Sequence, residues 1–310
     1  MPRAKTYQTE AIIIKKTKLG EADRILTLYT PELGKIQGVA KGIRRPKAKL
    51  AGHLEMLTHS MVSLVHGHNL DTIIGSQTIN SFLPLKCDLE LGACALYATE
   101  LVGQFATERQ ENRPLFGLLL EMMQQLSSLD RPAEGAANND NSIKSGVHFP
   151  SPSMGEGQDG GDFPGKRESA FQPRRHDYHP DTSGLLRYFE VHLLHEAGYR
   201  PQLELCVACR RPLPQVTTYF SAAAGGVLCT DCRHKQSFSY PLSAGALSVL
   251  RALQEADWSA ACQTQCDGRV QQEMETVMRH YLRYLLERDI RSAAWLDTLK
   301  GIQQRRQTPE

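Results

Sequence analysis

Short hydrophobic runs that alternate with polar residues follow one another through residues 1–80. Their period of two predicts β-strands at residues 10–15, 24–29, 35–40, 57–65 and from 71 onward. Turn residues separate the runs, with a glycine closing the connection at residues 31–34. A single sheet of five short strands favours an OB-type β-barrel over a sandwich. We therefore expect an OB-fold domain over residues 1–80.

After residue 84 the hydrophobic spacing changes to the 3.6-residue period of an α-helix. This period predicts helices over residues 91–106, 115–129, 183–197, 243–256 and 269–288. The fold class is therefore expected to be α+β, with a barrel followed by a helical domain that spans residues 81–130 and 184–310.

Residues 131–183 interrupt the helical pattern. They contain 7 Gly, 6 Pro and 6 Ser and hardly any aliphatic residue. Such a composition is typical of a disordered insertion, because it cannot bury enough apolar surface to fold. A long flexible loop of this kind adds little closure entropy and is expected to be tolerated.

The chain has 310 residues, of which 41% are hydrophobic and 23% charged, as in an ordinary soluble protein. It contains no apolar run of the roughly 20 residues that a membrane span needs. No hydrophobic leader opens the chain, so a reducing cytoplasm is expected. The formal net charge is +2. Residues 1–80, however, hold 12 Lys/Arg against 6 Asp/Glu, and this excess indicates a polyanionic partner, with nucleic acid favoured over membrane.

A run of basic residues without any acidic residue lies between Glu32 and Glu55. Gly42 and Pro46 predict that its second half is a loop. Cations on a loop of a small barrel can follow a phosphate backbone, and guanidinium groups can stack on unpaired bases. The alternative is a merely solvated basic loop. The candidate DNA contacts are Lys35, Lys41, Arg44, Arg45, Lys47 and Lys49.

Four cysteines form two C-x2-C motifs with 19 residues between them: Cys206, Cys209, Cys229 and Cys232. This spacing predicts one structural Zn²⁺ with four sulfur ligands in a zinc ribbon at about residues 204–234. A redox-active pair would explain one motif but not the second. A zinc deaminase would need proline before its C-x-x-C, where the chain has Leu205 and Leu228.

No set of residues predicts catalysis. The chain shows no nucleophile motif, no carboxylate cluster with metal-ligand spacing and no phosphate loop in a valid context. We expect a binding protein that is not an enzyme. Two alternatives stay open at this point: an RNA- or polymerase-binding OB/zinc-ribbon factor of transcription or translation, and a zinc-dependent nuclease.

Several motifs give the chain a resemblance to the RecO family of bacterial recombination mediators. They are the residues 12–16, 20–24, 33–35, 39–42, 198–203 and 225–229, which read IIIKK, GEADR, LGK, VAKG, GYRPQL and GGVLC. The run from Gly198 to Cys209 is the most specific of them. Together the motifs span nearly the whole chain outside the insertion, which is longer than the family's usual connection.

The resemblance implies an N-terminal OB fold and a helical C-terminal domain that carries the zinc ribbon. It implies a DNA repair mediator that binds single- and double-stranded DNA and anneals complementary strands. The implied partners are RecR, single-stranded DNA-binding protein and, in some cases, RecF, with RecA loaded onto coated DNA. The resemblance also implies that the protein acts in the cytoplasm, on the nucleoid.

Overall fold

The computed structural model describes residues 6–45, 48, 50–129, 182–213, 216–264 and 266–307. Within these ranges the strands are β1 (Thr6–Leu19), β2 (Asp23–Thr30), β3 (Gly34–Ala40), β4 (His59–Val65), β5 (Asp71–Asn80), β6 (Thr218–Ser221), β7 (Gly226–Leu228) and β8 (Tyr240–Leu242). The helices are α1 (Leu83–Cys87), α2 (Leu89–Phe105), α3 (Arg113–Ser128), α4 (Ser183–Glu196), α5 (Ala244–Glu255), α6 (Trp258–Gln263), α7 (Gly268–Leu286) and α8 (Arg291–Gln307). Short 3₁₀ helices span Gly52–Leu54 and Thr230–Lys235.

Strands β1 to β5 form a closed barrel in the order β1-β2-β3-β5-β4. Neighbouring strands are antiparallel except β3 and β5, which run parallel where Gly38 pairs with Asp71. Strand β1 pairs with β4 through residues 6–12 and with β2 through residues 12–19. A register shift between Ile13 and Lys15 bends it between the two partners. The predicted five-stranded OB-type barrel is confirmed.

Both faces of β1 are buried, which explains the uninterrupted run of isoleucines at residues 12–14. Ile13 belongs to the core inside the barrel, together with Leu26 and Leu64. Ile12 and Ile14 belong to the core formed with the helices. Since successive residues of a strand point to opposite faces, one strand contributes to two cores. The outer face of β1 therefore lies against the helical region.

Helix α2 is the centre of the helical region, and α3, α4 and α8 pack around it. Asp88 caps its start by accepting hydrogen bonds from the backbone N–H groups of Glu90 and Leu91, at 2.9 and 2.8 Å. The core residues that α2 meets are fully buried and include Met122 and Phe189. The predicted change from barrel to helical structure is thus confirmed.

The ribbon is a three-stranded sheet in the order β7-β6-β8. Residues before the first cysteine motif run beside it, and Val227 donates its backbone N–H to the carbonyl oxygen of Gln202 at 3.0 Å. A side chain at Gly226 would place its Cβ 2.4 Å from that carbonyl oxygen. Glycine at position 226 is therefore required by the close approach of two backbones.

The hydrophobic pattern did not predict α1, α6, α8 or β8. The insertion predicted over residues 131–183 lies outside the described residues, except that Thr182 and Ser183 begin helix α4. The division of the chain into domains stays a prediction. Among the described helices, none combines the length and the apolar character that crossing a membrane demands.

Candidate metal centre and nucleic-acid interface

The two cysteine motifs bring their four sulfur atoms together. The Sγ atoms of Cys206, Cys209, Cys229 and Cys232 all lie within 4.8 Å of one another. Those of Cys209 and Cys229 are 3.9 Å apart. Sulfurs around a tetrahedral zinc, with bonds of about 2.3 Å, would be about 3.8 Å apart. The four cysteines can therefore hold a metal ion, as their spacing predicted.

Each motif is a tight turn that aims two sulfurs at one point. In the first motif, Arg210 has a left-handed φ of +62° and donates its backbone N–H to the carbonyl oxygen of Cys206 at 2.8 Å. Cys206 in turn donates to the carbonyl oxygen of Arg211 at 3.0 Å. In the second motif, Cys232 donates to the carbonyl oxygen of Cys229 at 3.1 Å.

The surroundings of the thiols shift their pKa values in opposite directions. Burial raises the pKa of the Cys206 thiol, but hydrogen bonds from backbone N–H groups, led by that of Cys229 at 3.4 Å, outweigh burial and lower the pKa to about 6. Burial and the neighbouring thiols raise the pKa of Cys232 to about 12. Four thiolates at this spacing would need a cation to offset their repulsion.

Helices α5 and α7 hold the segment that leads into the metal centre. Arg251 donates from Nε and Nη2 to the carbonyl oxygen of Leu203, at 2.9 and 2.6 Å. Tyr281 donates its hydroxyl to the carbonyl oxygen of Tyr199 at 3.0 Å. Each of these hydrogen bonds joins a side chain to the backbone of a residue more than 40 positions away, so no local motif could have predicted them.

Three of the predicted DNA contacts lie together on the turn after β3. Lys41, Arg44 and Arg45 are exposed there. The turn is fixed to the connection between β1 and β2, because Arg44 donates its backbone N–H to the carbonyl oxygen of Ala22 at 3.0 Å. This contact brings two loops to the same end of the barrel.

The pairing of the strands adds two further cations to this end. Lys18 lies opposite Arg24 across β1 and β2, and Arg24 lies opposite Ala40 across β2 and β3. We define the basic end as Lys18, Arg24, Lys41, Arg44 and Arg45. Hydrophobic spacing alone did not single out Lys18 or Arg24, but the strand register, which places both beside the turn, could have done so.

Lys35, another predicted contact, is not part of this cluster. Lys35 lies near the opposite end of β3, about 20 Å from Lys41 at roughly 3.3 Å per residue. Its Nζ donates to the carbonyl oxygen of Gly103 in α2 at 3.0 Å. Burial lowers the pKa of Lys35, and the neighbouring Arg288 adds to the effect. Lys47 and Lys49 lie outside the described residues.

The fold and site define the class of protein: an OB-type barrel joined to a helical region with a four-cysteine ribbon. Comparison with protein families agrees with this class. The family model described as "Recombination protein O N terminal" matches residues 3–82, and the model described as "Recombination protein O C terminal" matches residues 87–138 and 175–294. Residues 139–174 are left unmatched between the two segments of the second model.

Curated relatives extend the similarity to nearly the whole chain. A DNA repair protein RecO of Dehalococcoides mccartyi strain CBDB1 is 37% identical over 300 residues, which cover 97% of this chain and 98% of that protein. A DNA repair protein RecO of Roseiflexus sp. strain RS-1 is 35% identical over 298 residues, which cover 96% and 87%. A third, from Symbiobacterium thermophilum, is 29% identical over 297 residues, which cover 95% and 98%.

The chain belongs to the RecO family. Family membership supports a role in DNA repair and recombination, which the resemblance in the sequence had implied.

Proposed function

We propose that the chain is a recombination mediator that binds single- and double-stranded DNA and anneals complementary strands. It also helps to load RecA onto DNA coated by single-stranded DNA-binding protein. Membership of the RecO family supports this proposal. None of these activities makes or breaks a covalent bond, so we assign the chain no catalytic residue.

The observation that carries the proposal is the convergence of five cations at the basic end of the barrel. The ends of β1 and β2 and the turn after β3 supply them, and the hydrogen bond between Arg44 and Ala22 holds this turn against the connection between β1 and β2. Positively charged groups in such an arrangement can follow a phosphate backbone in either single or double strands. Five neutralised phosphates would give a salt slope of about −3.5 on single strands, from about −0.7 for each phosphate.

Lys47 and Lys49 continue the same turn in sequence, and we include them in the proposed interface. Complementary strands both carry negatively charged phosphates. Two strands therefore approach each other only when cations screen these charges. A basic surface that binds both strands without reading bases would lower this barrier. Annealing is therefore an activity that the basic end could provide without any reaction at a covalent bond.

We further propose that the four cysteines hold one structural Zn²⁺. Zinc accepts four thiolates in a tetrahedron and leaves no open position for substrate. The burial of Cys206, Cys229 and Cys232 supports a closed site of this kind. Bound there, the ion would join the two turns of the ribbon and stabilise it. The basic end lies elsewhere, on the barrel.

The partners we propose are RecR, single-stranded DNA-binding protein and, as a third, RecF, docked on the helical region and the ribbon. Since the DNA substrate lies in the nucleoid, we place the action of the protein there, in the cytoplasm. Direct mixing of the purified proteins in analytical ultracentrifugation tests each partner. Absence of a complex with RecR at micromolar concentrations would remove it from the proposal.

A strand-annealing assay tests the central activity. Two complementary oligonucleotides with a fluorophore and a quencher are mixed with the purified protein, with and without single-stranded DNA-binding protein. We expect faster annealing with wild type and slower annealing with Lys41→Ala/Arg44→Ala/Arg45→Ala. Arg269→Ala is the matched control, because Arg269 is an exposed arginine at the start of α7. No acceleration by wild type in either condition would refute the proposal, and a strong preference for RNA would indicate a different class of factor.

A further inference from the structure

A groove of about 1220 Å³ opens between the last turns of α7 and the segment that links the 3₁₀ helix Thr230–Lys235 to β8. Phe238 and Tyr284 line it, and 82% of Phe238 and 53% of Tyr284 is exposed. Tyr240 and His280 lie in the same groove and stack on each other with centroids 3.9 Å apart and planes 13° apart. Large aromatic side chains are usually buried, at least in part, in a protein core. A groove that exposes two of them indicates a binding site.

The charges in the groove balance one another. Arg283 pairs with Asp289 at 3.0 Å, and Glu287 stands beside Arg288. Burial and the neighbouring arginines, Arg283 first, lower the pKa of His280, so its ring is neutral at pH 7. The groove therefore suits a flat, uncharged aromatic group.

A pair of cations connects this groove to the barrel. Lys35 of β3 donates to the carbonyl oxygen of Gly103 at 3.0 Å, and Arg288 donates to the side chain of Gln104, the next residue of α2. The two cations thus bind consecutive residues at the end of one helix. Arg288 also lines the groove. Lys35 of the barrel and Arg288 of the groove are therefore held at the same end of α2.

We propose that the groove binds unpaired bases of single-stranded DNA, which stack on Phe238 and Tyr284 while Lys35 and Arg288 contact the phosphates. Bases are neutral and flat, and every base has a π-face, so this site needs no particular sequence. Duplex DNA keeps its bases stacked inside the helix and cannot enter. The inference rests on the proposed function, because it extends the DNA path that begins at the barrel.

The matched test compares Phe238→Ala/Tyr284→Ala with wild type on a single-stranded oligonucleotide and on a duplex of the same length. We expect the variant to lose single-strand affinity by about tenfold for each stacked base and to keep its duplex affinity. Trp295→Ala is the control, since Trp295 is 44% exposed on α8 and does not line the groove. Circular dichroism confirms that each variant is folded.

Photo-crosslinking locates the contact directly. A single strand that carries 5-iodouracil is irradiated with the full-length protein, and the crosslinked peptide is identified by mass spectrometry. We expect the crosslink on the peptide with Phe238 or on the one with Tyr284, and Lys35→Ala to reduce its yield. Crosslinks confined to the barrel would overturn the inference.

Two further results would overturn it. One is an equal loss of single-strand and duplex affinity in Phe238→Ala/Tyr284→Ala. The other is full DNA binding by this variant together with loss of binding to an acidic, phenylalanine-containing peptide, which would make the groove a peptide site. The variant Lys41→Ala/Arg44→Ala/Arg45→Ala separates the two proposals. If it weakens binding to both DNA forms while the groove variant weakens neither, the proposed function stands and only this inference fails.

Discussion

The carboxylate of Asp23 accepts a hydrogen bond of 2.7 Å from the backbone N–H of Gly42. Gly42 has a left-handed φ of +64°, which glycine adopts without a steric penalty. The first residue of β2 thereby fixes the turn that presents Lys41, Arg44 and Arg45. An acidic residue at the basic end is needed for its geometry even though it reduces the positive charge there.

Two substitutions of Asp23 separate these effects. Asp23→Asn removes the charge but keeps an oxygen that can accept from Gly42, whereas Asp23→Ala removes both. We expect Asp23→Asn to bind single-stranded DNA about fivefold more tightly than Asp23→Ala, as one hydrogen bond of about 1 kcal/mol would give. Fluorescence anisotropy measures both affinities. Glu21→Asn and Glu21→Ala are the control pair, and equal affinities for the two Asp23 variants would show that the turn is held by other contacts.

Loss of one sulfur ligand is expected to destabilise the protein without removing its DNA contacts. Cys206→Ser should lower the free energy of unfolding by about 3 kcal/mol or more, because the energy of metal binding is part of the folding energy of such a site. Bound metal should fall below one ion per chain. Thermal unfolding and metal analysis measure these effects, with the exposed Cys87→Ser as control. Stable, folded Cys206→Ser protein that no longer bound DNA would contradict the structural role of the site.

A buried ion pair within α4 is hydrogen-bonded to a tyrosine of α2. Arg187 donates to a carboxylate oxygen of Glu190 at 2.7 Å, and the hydroxyl of Tyr97 donates to the same oxygen at 2.6 Å. Glu190→Ala leaves the buried guanidinium unpaired and should cost about 3–5 kcal/mol of stability. Arg187→Met/Glu190→Leu removes both charges and should cost less than Glu190→Ala alone. Urea unfolding measures both variants, and a double variant that is less stable than Glu190→Ala would contradict this account.

Asp71 is expected to make the barrel sensitive to acid. Burial opposes its ionisation, but the hydroxyl of Tyr7 at 2.6 Å, the N–H of Gly67 and the guanidinium of Arg109 outweigh burial and lower its pKa below the ordinary 3.8. The unfolded chain therefore binds this proton more readily than the folded protein does. The stability that Asp71 contributes is present above pH 3.8 and is lost as the pH falls through the lower folded pKa.

The variant Asp71→Asn tests this linkage. It should be less stable than wild type at pH 7, and the difference between the two proteins should shrink as the pH is lowered below about 4. Chemical unfolding at a series of pH values measures it. A difference that grew toward acid would show that Asp71 has a raised pKa in the folded state. Asp267→Asn, at an exposed helix start, is the control for a general effect of removing a carboxylate.

The barrel could be predicted because each of its strands has a periodic pattern of its own. The turn at residues 31–34 was also correct, since Gly34 has a φ of +58° where the chain reverses. Helix α8 could not be predicted because its apolar pattern is sparse. Among its described residues, only Ala293 and Leu296 are buried in the core. Helix α1 has five residues and buries Leu85 alone, too few for a period.

The site was predicted where it depends on local spacing and not where it depends on strand pairing. The four cysteines lie close in sequence within two motifs, so their spacing already contained the geometry. Lys35 and Lys41 are close in sequence too, but an extended strand separates residues that are six positions apart. Lys18 and Arg24 join the basic end only through the register of β1, β2 and β3. Residues that are close in sequence are also close in space in a tight turn, whereas a strand holds them far apart.

The alternation of Ile12, Ile13 and Ile14 between two cores has a consequence for how the protein unfolds. Neither the interior of the barrel nor the helical core can lose its packing without exposing side chains of the same strand. The strand thus couples the two parts into one cooperative unit, although each has the size of a small domain. A cell protease that attacks partly open proteins would then find no intermediate with a loose barrel and an intact helical region. The barrel and the helical core would be degraded only after they unfold together.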